Sequence, residues 1–119
     1  YWLTLFFGAT SGVGSPPTIE ELLYRIKYLP EHALWQVSVF CGIKGIANTQ
    51  QQLALFTHAI ALGGHVRVGI EDHPYYWDGV PAESNAQLVE RVVRIARELG
   101  REVDTPDEAR QMTGLPRRV

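Results

Sequence analysis

With 119 residues, 45% of them hydrophobic and 20% charged, the chain has the make-up of an ordinary folded protein and a length suited to about one domain. A formal net charge of −2 without a basic run argues against nucleic acid or an anionic membrane as a partner, and no apolar stretch approaches the ~18–20 residues that span a bilayer. No basic segment precedes the apolar N-terminal run, so no signal peptide is expected, and the single cysteine, Cys41, fits a reducing, cytoplasmic compartment.

The first predicted strand covers residues 2–7 and starts without an approach segment, as a piece of a longer chain would. Residues 8–17 hold three glycines and two prolines and form a loop. Its G-x-x-x-G-x-G spacing fits neither the dinucleotide fingerprint nor the P-loop, so it serves either as turn geometry or as a source of backbone N–H groups for an anion. Thr18 and Glu21 form an expected capping box, and Leu22, Leu23, Ile26 and Leu29 then give a helix with a core-facing stripe, closed by Pro30. Residues 33–40 read as a second strand, with Gln36 and Ser38 as polar groups expected to make structural hydrogen bonds in preference to the alternative, substrate contact. Cys41 follows that strand as a packed side chain rather than a catalytic thiol.

The loop 42–47 carries Lys44, either solvated or drawn to phosphates. Asn48 or Thr49 caps the next helix, in which Leu53, Phe56 and Ile60 face the core and Gly63-Gly64 ends the run. His58 and His32 have no ligand-spaced neighbours. Residues 73–81 are an aromatic loop whose rings wall a pocket, pack, or meet another subunit. Ser84 and Gln87 then cap a helix with Leu88, Val92, Ile95 and Leu99 inward and Arg91, Arg94 and Arg97 in solvent. Thr105, Pro106 and Glu108 open a short final helix ahead of a frayed tail.

The central stretch is 63–73, GGHVRVGIEDH, read as a strand ending in adjacent carboxylates. Side chains alternate along a strand, so His65, Arg67, Gly69 and Glu71 share one face and Val66, Val68 and Ile70 the other. Strands alternating with helices imply a parallel sheet, covered on both faces. An imidazole, a guanidinium and a carboxylate on a covered face need pairing, metal or substrate. Asp72 has the opposite parity and reaches the same site only if the strand has ended and the chain is turning.

Residues 63–72, with SNAQLVER at 84–91 and TPDEAR at 105–110, resemble the β-keto acid cleavage enzyme family. The resemblance covers most of the chain from Trp2 onward and is densest over 59–115. His73 stands where the family usually has Asn, and 40–52 fits the pattern less well, which bears on substrate preference more than reaction class. The resemblance implies an α/β fold in which the whole chain, 1–119, is the C-terminal part, about three βα units, of a single (β/α)8 TIM-barrel domain of roughly 250 residues. It implies Zn2+ with Glu71 as a metal ligand and the remaining ligands, a His-x-His pair, outside this chain. It implies acetyl-CoA as co-substrate, Asp72 as the proton-abstracting carboxylate and Arg67 beside it as catalytic. His73 and Gly12, the latter in the rim loop 8–17, are the expected substrate-binding residues. The implied reaction is zinc-dependent cleavage of a β-keto acid with acetyl-CoA to acetoacetate and a CoA ester, by an enzyme expected to be a homo-oligomer. These residues alone would be inactive. Three alternatives stand beside it: another metal-dependent carbon–carbon lyase, a non-catalytic α/β module, or an Arg67–Glu71 ion pair that only stabilises the strand.

Overall fold

The computed structural model describes residues 1–8, 15–41 and 48–116. Three strands, β1 (Trp2–Phe7), β2 (Leu34–Val39) and β3 (His65–Val66), form a parallel sheet in the order β1-β2-β3. Parallel neighbours need crossovers, and helices α1 (Ile19–Ile26) and α2 (Thr49–Ala61) supply them. Leu5, Phe7, Val37 and Val39, alternate residues of β1 and β2, pack with Leu22 of α1 and Leu55, Phe56 and Ala59 of α2 into one buried core. Burial of each such large side chain is worth about 1.5–3 kcal/mol against exposure. The other parity is polar and aromatic: Gln36 donates to Thr4 Oγ1 across the register at 2.8 Å, and Phe6 and Phe40 stand 5.5 Å apart. This is an α/β arrangement of parallel strands and helices consistent with part of a TIM-barrel-like fold, and the described strands do not close into a barrel. No helix among the described residues is long and apolar enough to cross a membrane.

Several elements depart from the sequence reading. Thr18 caps α1 by accepting from Glu21 N at 3.2 Å, but the Glu21 side chain turns to Arg25 at 3.0 Å, so the expected box is half made. Leu23 is exposed, because the buried stripe runs through Ile19, Leu22 and Ile26 at spacings of three and four, and Leu23 falls a hundred degrees or so off it. Asn48, not Thr49, caps α2, in a full capping box with Gln51. The α2 terminus follows the Gly-Gly expectation: Gly63 has φ +86°, and Gly64 N donates to Ala59 O at 2.8 Å.

The strand predicted over 63–73 is the largest correction. Only His65 and Val66 pair with β2, followed by one bond from Arg67 N to Val37 O at 2.9 Å. The chain then turns, with Asp72 N and His73 N both donating to Gly69 O at 3.1 and 3.0 Å. Alternation therefore does not extend to Glu71. The aromatic loop is in fact a hairpin, β4 (Tyr75–Trp77) and β5 (Val80–Pro81), joined by Asp78-Gly79 with Gly79 at φ +76°. Asp-Gly is a favoured two-residue hairpin turn.

Helix α3 (Asn85–Glu98) is capped by Ser84, while Gln87 returns to Glu83 N rather than to Ser84 N. Leu99 lies beyond its end and is exposed. Arg91, expected in solvent, is buried, its guanidinium 3.4 Å from the Tyr76 ring centroid and donating to Tyr76 O. The hairpin lies over that part of α3 and covers it. Helix α4 (Pro106–Thr113) has the expected Thr105–Glu108 capping box with Pro106 in its first turn. A cleft of about 400 Å³ runs between β3 and the helices α3 and α4, lined by Val66, Val68, Val92, Ala96, Met112 and, at its polar end, His65 and Arg101.

Candidate active site

Arg67 leaves β3 beside Ser38, because its backbone N–H is bonded to Val37 O of the neighbouring strand. The turn that follows is tied down on three sides. Gly69 O accepts from Asp72 N and His73 N, Asp72 O accepts from Cys41 N at 3.1 Å, and Ile70 N donates to the Asn85 side chain at 2.8 Å. Those bonds carry the Asp72 carboxylate under Arg67 and against β2.

The two adjacent carboxylates meet opposite surroundings. Asp72 Oδ2 accepts from Ser38 Oγ at 2.8 Å and has Arg67 Nε 3.1 Å away, while Oδ1 accepts from Arg67 Nη2 at 3.2 Å. The Asp72 side chain is 4% exposed. Glu71, 62% exposed, has among the described residues an ion-pair contact from its Oε1 to Arg67 Nη2 at 3.6 Å and no hydrogen bond. Arg67 thus engages both oxygens of the buried Asp72 carboxylate, one by a hydrogen bond and one by an ion-pair contact, and charge-assisted contacts of this kind are strong and geometrically specific. A solvated pair contributes about 0–1 kcal/mol. The buried Arg67–Glu71 pair considered as an alternative is thus a solvent-exposed contact, and the buried partner of Arg67 is Asp72.

The structure brings Arg67, Glu71 and Asp72 together at the end of the parallel strands. His73 is 1% exposed, with the Tyr75 ring edge-on at 6.1 Å. Gly12 and Lys44 lie outside the described residues. His65, at the entry to β3, stacks on Trp2 at 5.2 Å, and its pKa is lowered by burial first and by Arg101 second, with Asp104 opposing. Burial raises the Cys41 thiol, which keeps it protonated and in character with a packed side chain. His58 bonds the Ala54 carbonyl at 2.8 Å and is exposed. Among the described residues no three His, Cys, Asp or Glu side chains converge to hold a metal. These residues therefore do not make a zinc site by themselves, and Glu71 offers one exposed donor.

Three contacts escaped the sequence reading. Ser38 makes the structural hydrogen bond expected of it, but its partner, Asp72, is set by the parallel register that pairs Val37 with Val66 and not by any local signal. Asn85 fixes the turn and Arg91 fixes the hairpin, through partners fifteen residues away in each case. Asp78 adds a further clamp by accepting from Thr49 N at 2.8 Å, a carboxylate at the start of α2 where the helix dipole favours it.

A parallel α/β sheet with an arginine and two carboxylates at the ends of its strands defines a class of protein that gathers its polar groups at one rim. The profile described as beta-keto acid cleavage enzyme matches residues 1–115, and the chain belongs to that family. It is 44% identical over 111 residues to the 3-keto-5-aminohexanoate cleavage enzyme of Fusobacterium nucleatum, covering 93% of this chain and 38% of that one. The enzyme of the same name from Acetoanaerobium sticklandii is 42% identical over 108 residues, covering 91% and 36%. The 3-oxoadipate:acetyl-CoA acetyltransferase of Cupriavidus necator is 35% identical over 85 residues, covering 71% and 30%. The chain thus spans a little over a third of the length of the first two relatives.

Proposed function

We propose that residues 1–119 form the C-terminal part of a (β/α)8 barrel whose complete polypeptide cleaves a β-keto acid with acetyl-CoA, releasing acetoacetate and a CoA ester. Family membership supports the reaction class, and a relative named as an acetyl-CoA acetyltransferase supports the co-substrate. The observation that carries the reading is Asp72, held by Arg67 and Ser38 at the strand ends with acceptor capacity remaining on Oδ1. The cleft along β3 supports the barrel, since its apolar lining is what a further strand beside β3 would cover.

In this reading Asp72 takes a proton from the carbon between the two carbonyl groups of the keto acid, and the electron pair stays on the substrate as an enolate. Arg67 holds Asp72 ionised and oriented, and its 41% exposed guanidinium can also meet the substrate carboxylate. Glu71 is the single zinc ligand from these residues, with the others supplied from outside them; zinc would polarise the keto acid. His73 and Gly12 belong to the substrate-binding surface, with His73 the buried residue that follows Asp72 in the turn.

The test uses the complete polypeptide. Asp72→Asn is expected to keep zinc and to lower kcat by about 10²–10⁴, with loss of deuterium exchange into the keto acid. Glu71→Gln is expected to lower zinc content together with rate. Zinc lost from Asp72→Asn and retained by Glu71→Gln would reverse the two assignments.

A further inference from the structure

Among the described residues the Asp72 carboxylate has three polar contacts, and one of them comes from Ser38, which bridges to no other side chain of the site. Arg67 provides two, and its Nη2 is shared between Asp72 Oδ1 and Glu71 Oε1, at 3.2 and 3.6 Å. The guanidinium that holds Asp72 is therefore also in ion-pair contact with the exposed Glu71. Ser38 is different. It is fully buried, and it sits on β2, the middle strand, paired on one side with β1 and on the other with β3. Its hydroxyl stands 2.8 Å from Asp72 Oδ2 and is fixed by the sheet rather than by the turn.

The contacts also make the carboxylate asymmetric. Oδ2 accepts from Ser38 and lies 3.1 Å from Arg67 Nε in an ion-pair contact, so it is flanked by a hydroxyl and a cation. Among the described residues Oδ1 accepts from Arg67 Nη2 and keeps a further acceptor direction. A base that must take a proton from carbon needs one defined lone pair within reach and the rest of the carboxylate held still.

We propose that Ser38 is a positioning residue for proton abstraction: its hydroxyl anchors Asp72 Oδ2 independently of Arg67 and Glu71, leaving Oδ1 as the oxygen that receives the substrate proton. The inference rests on Asp72 being the base. In the step, the substrate C–H bond breaks, the proton passes to Oδ1, and the electron pair remains on the substrate carbon and its carbonyl oxygen. Ser38 itself neither gains nor loses a proton.

The test compares Ser38→Ala, Ser38→Cys and Asp72→Asn in the zinc-loaded complete polypeptide. Ser38→Ala is expected to lower kcat about tenfold or more, as loss of a hydrogen bond to a charged group does. KM and zinc content stay unchanged, and the primary deuterium isotope effect on the abstracted hydrogen rises because that step becomes more rate-limiting. Ser38→Cys, close in volume with a weaker donor, is expected to fall between Ser38→Ala and the parent in rate. A kcat kept within about twofold in Ser38→Ala overturns the proposal, as does a rate loss that follows the fall in Tm across both variants. If Asp72→Asn abolishes exchange while Ser38→Ala is silent, the base assignment survives and the Ser38 role does not. Exchange retained by Asp72→Asn removes both.

Discussion

The two ends of β3 each have an arginine, and the acceptors it meets set them apart. At the entry, Arg101 Nη1 donates to two backbone carbonyls, Ile60 O at 2.8 Å and Gly64 O at 2.7 Å. Ile60 lies in the last turn of α2, where unpaired carbonyls and the negative end of the helix dipole favour a cation. At the exit, Arg67 meets the carboxylates of Asp72 and Glu71. An arginine that donates to neutral carbonyls fastens a helix to a strand. One that ends on two unequally buried carboxylates holds a group that can still accept a proton and leaves another exposed.

The sharpest way to break this contrast is to remove each guanidinium in the complete polypeptide. Arg67→Met takes two of three contacts from a carboxylate that is 4% exposed. The expected result is a loss of kcat by a factor of about 100 or more together with a destabilisation of about 2–3 kcal/mol. That figure is on the low side for a buried pair because the guanidinium itself is partly solvated. Arg101→Met leaves two carbonyls short of a donor and is expected to cost about 1–3 kcal/mol with kcat unchanged. Denaturant midpoints and steady-state rates decide it. A rate loss in Arg101→Met at full stability would erase the division between the two ends.

Much of this scaffold was legible because the signals are local. The apolar run of residues 2–7 and the caps at Thr18, Asn48, Ser84 and Thr105 act within one element, and the strand and each cap are found in the structure. The exit of β3 was legible only in part. Alternation in GGHVRVGIED continues past Gly69 in the sequence, but a strand continues only where a neighbour offers bonds, and the turn closes on Gly69 O instead. The short side-chain reach of Ser38 to Asp72 depends on the strand register, and the burial of Arg91 depends on a hairpin folding over α3. Neither follows from periodicity.

Two glycines sharpen the comparison at smaller cost. A Cβ on Gly64, at the entry, would stand 2.4 Å from ring carbons of Trp35, which packs against the core. A Cβ on Gly69, at the exit, would stand 2.3 Å from the Glu71 carboxylate, the far end of a flexible, exposed side chain. Gly64→Ala is expected to destabilise by about 1–3 kcal/mol, as overpacking does. Gly69→Ala is expected to cost about 0.5 kcal/mol or less while displacing Glu71. Thermal melts rank the pair, and zinc titration of Gly69→Ala reports on Glu71. Equal destabilisation would mean that Glu71 is held as firmly as Trp35, against the adaptable exit inferred here.

The smallest effect expected is a pH dependence at the entry. Burial beside Trp2, helped by Arg101 and opposed by Asp104, lowers the pKa of His65 from 6.5. For a base with a lowered folded pKa, the unfolded chain takes the proton first as pH falls. The stability linked to neutral His65 is therefore complete above about pH 6.5 and declines as pH drops through that value toward the folded pKa. His65→Gln, uncharged throughout, is expected to flatten the slope of urea midpoints between about pH 7 and 5. Asp104→Asn removes the one charge that favours the imidazolium and is expected to steepen it. Glu21, lowered first by its bond with Ser15, and Glu108, lowered first by Thr105, lose their contributions only below the ordinary carboxylate value of 4.5, so they fall outside this window. An unchanged slope in His65→Gln would mean that His65 contributes nothing to the pH dependence of stability in this window, whatever Arg101 and Asp104 do around it.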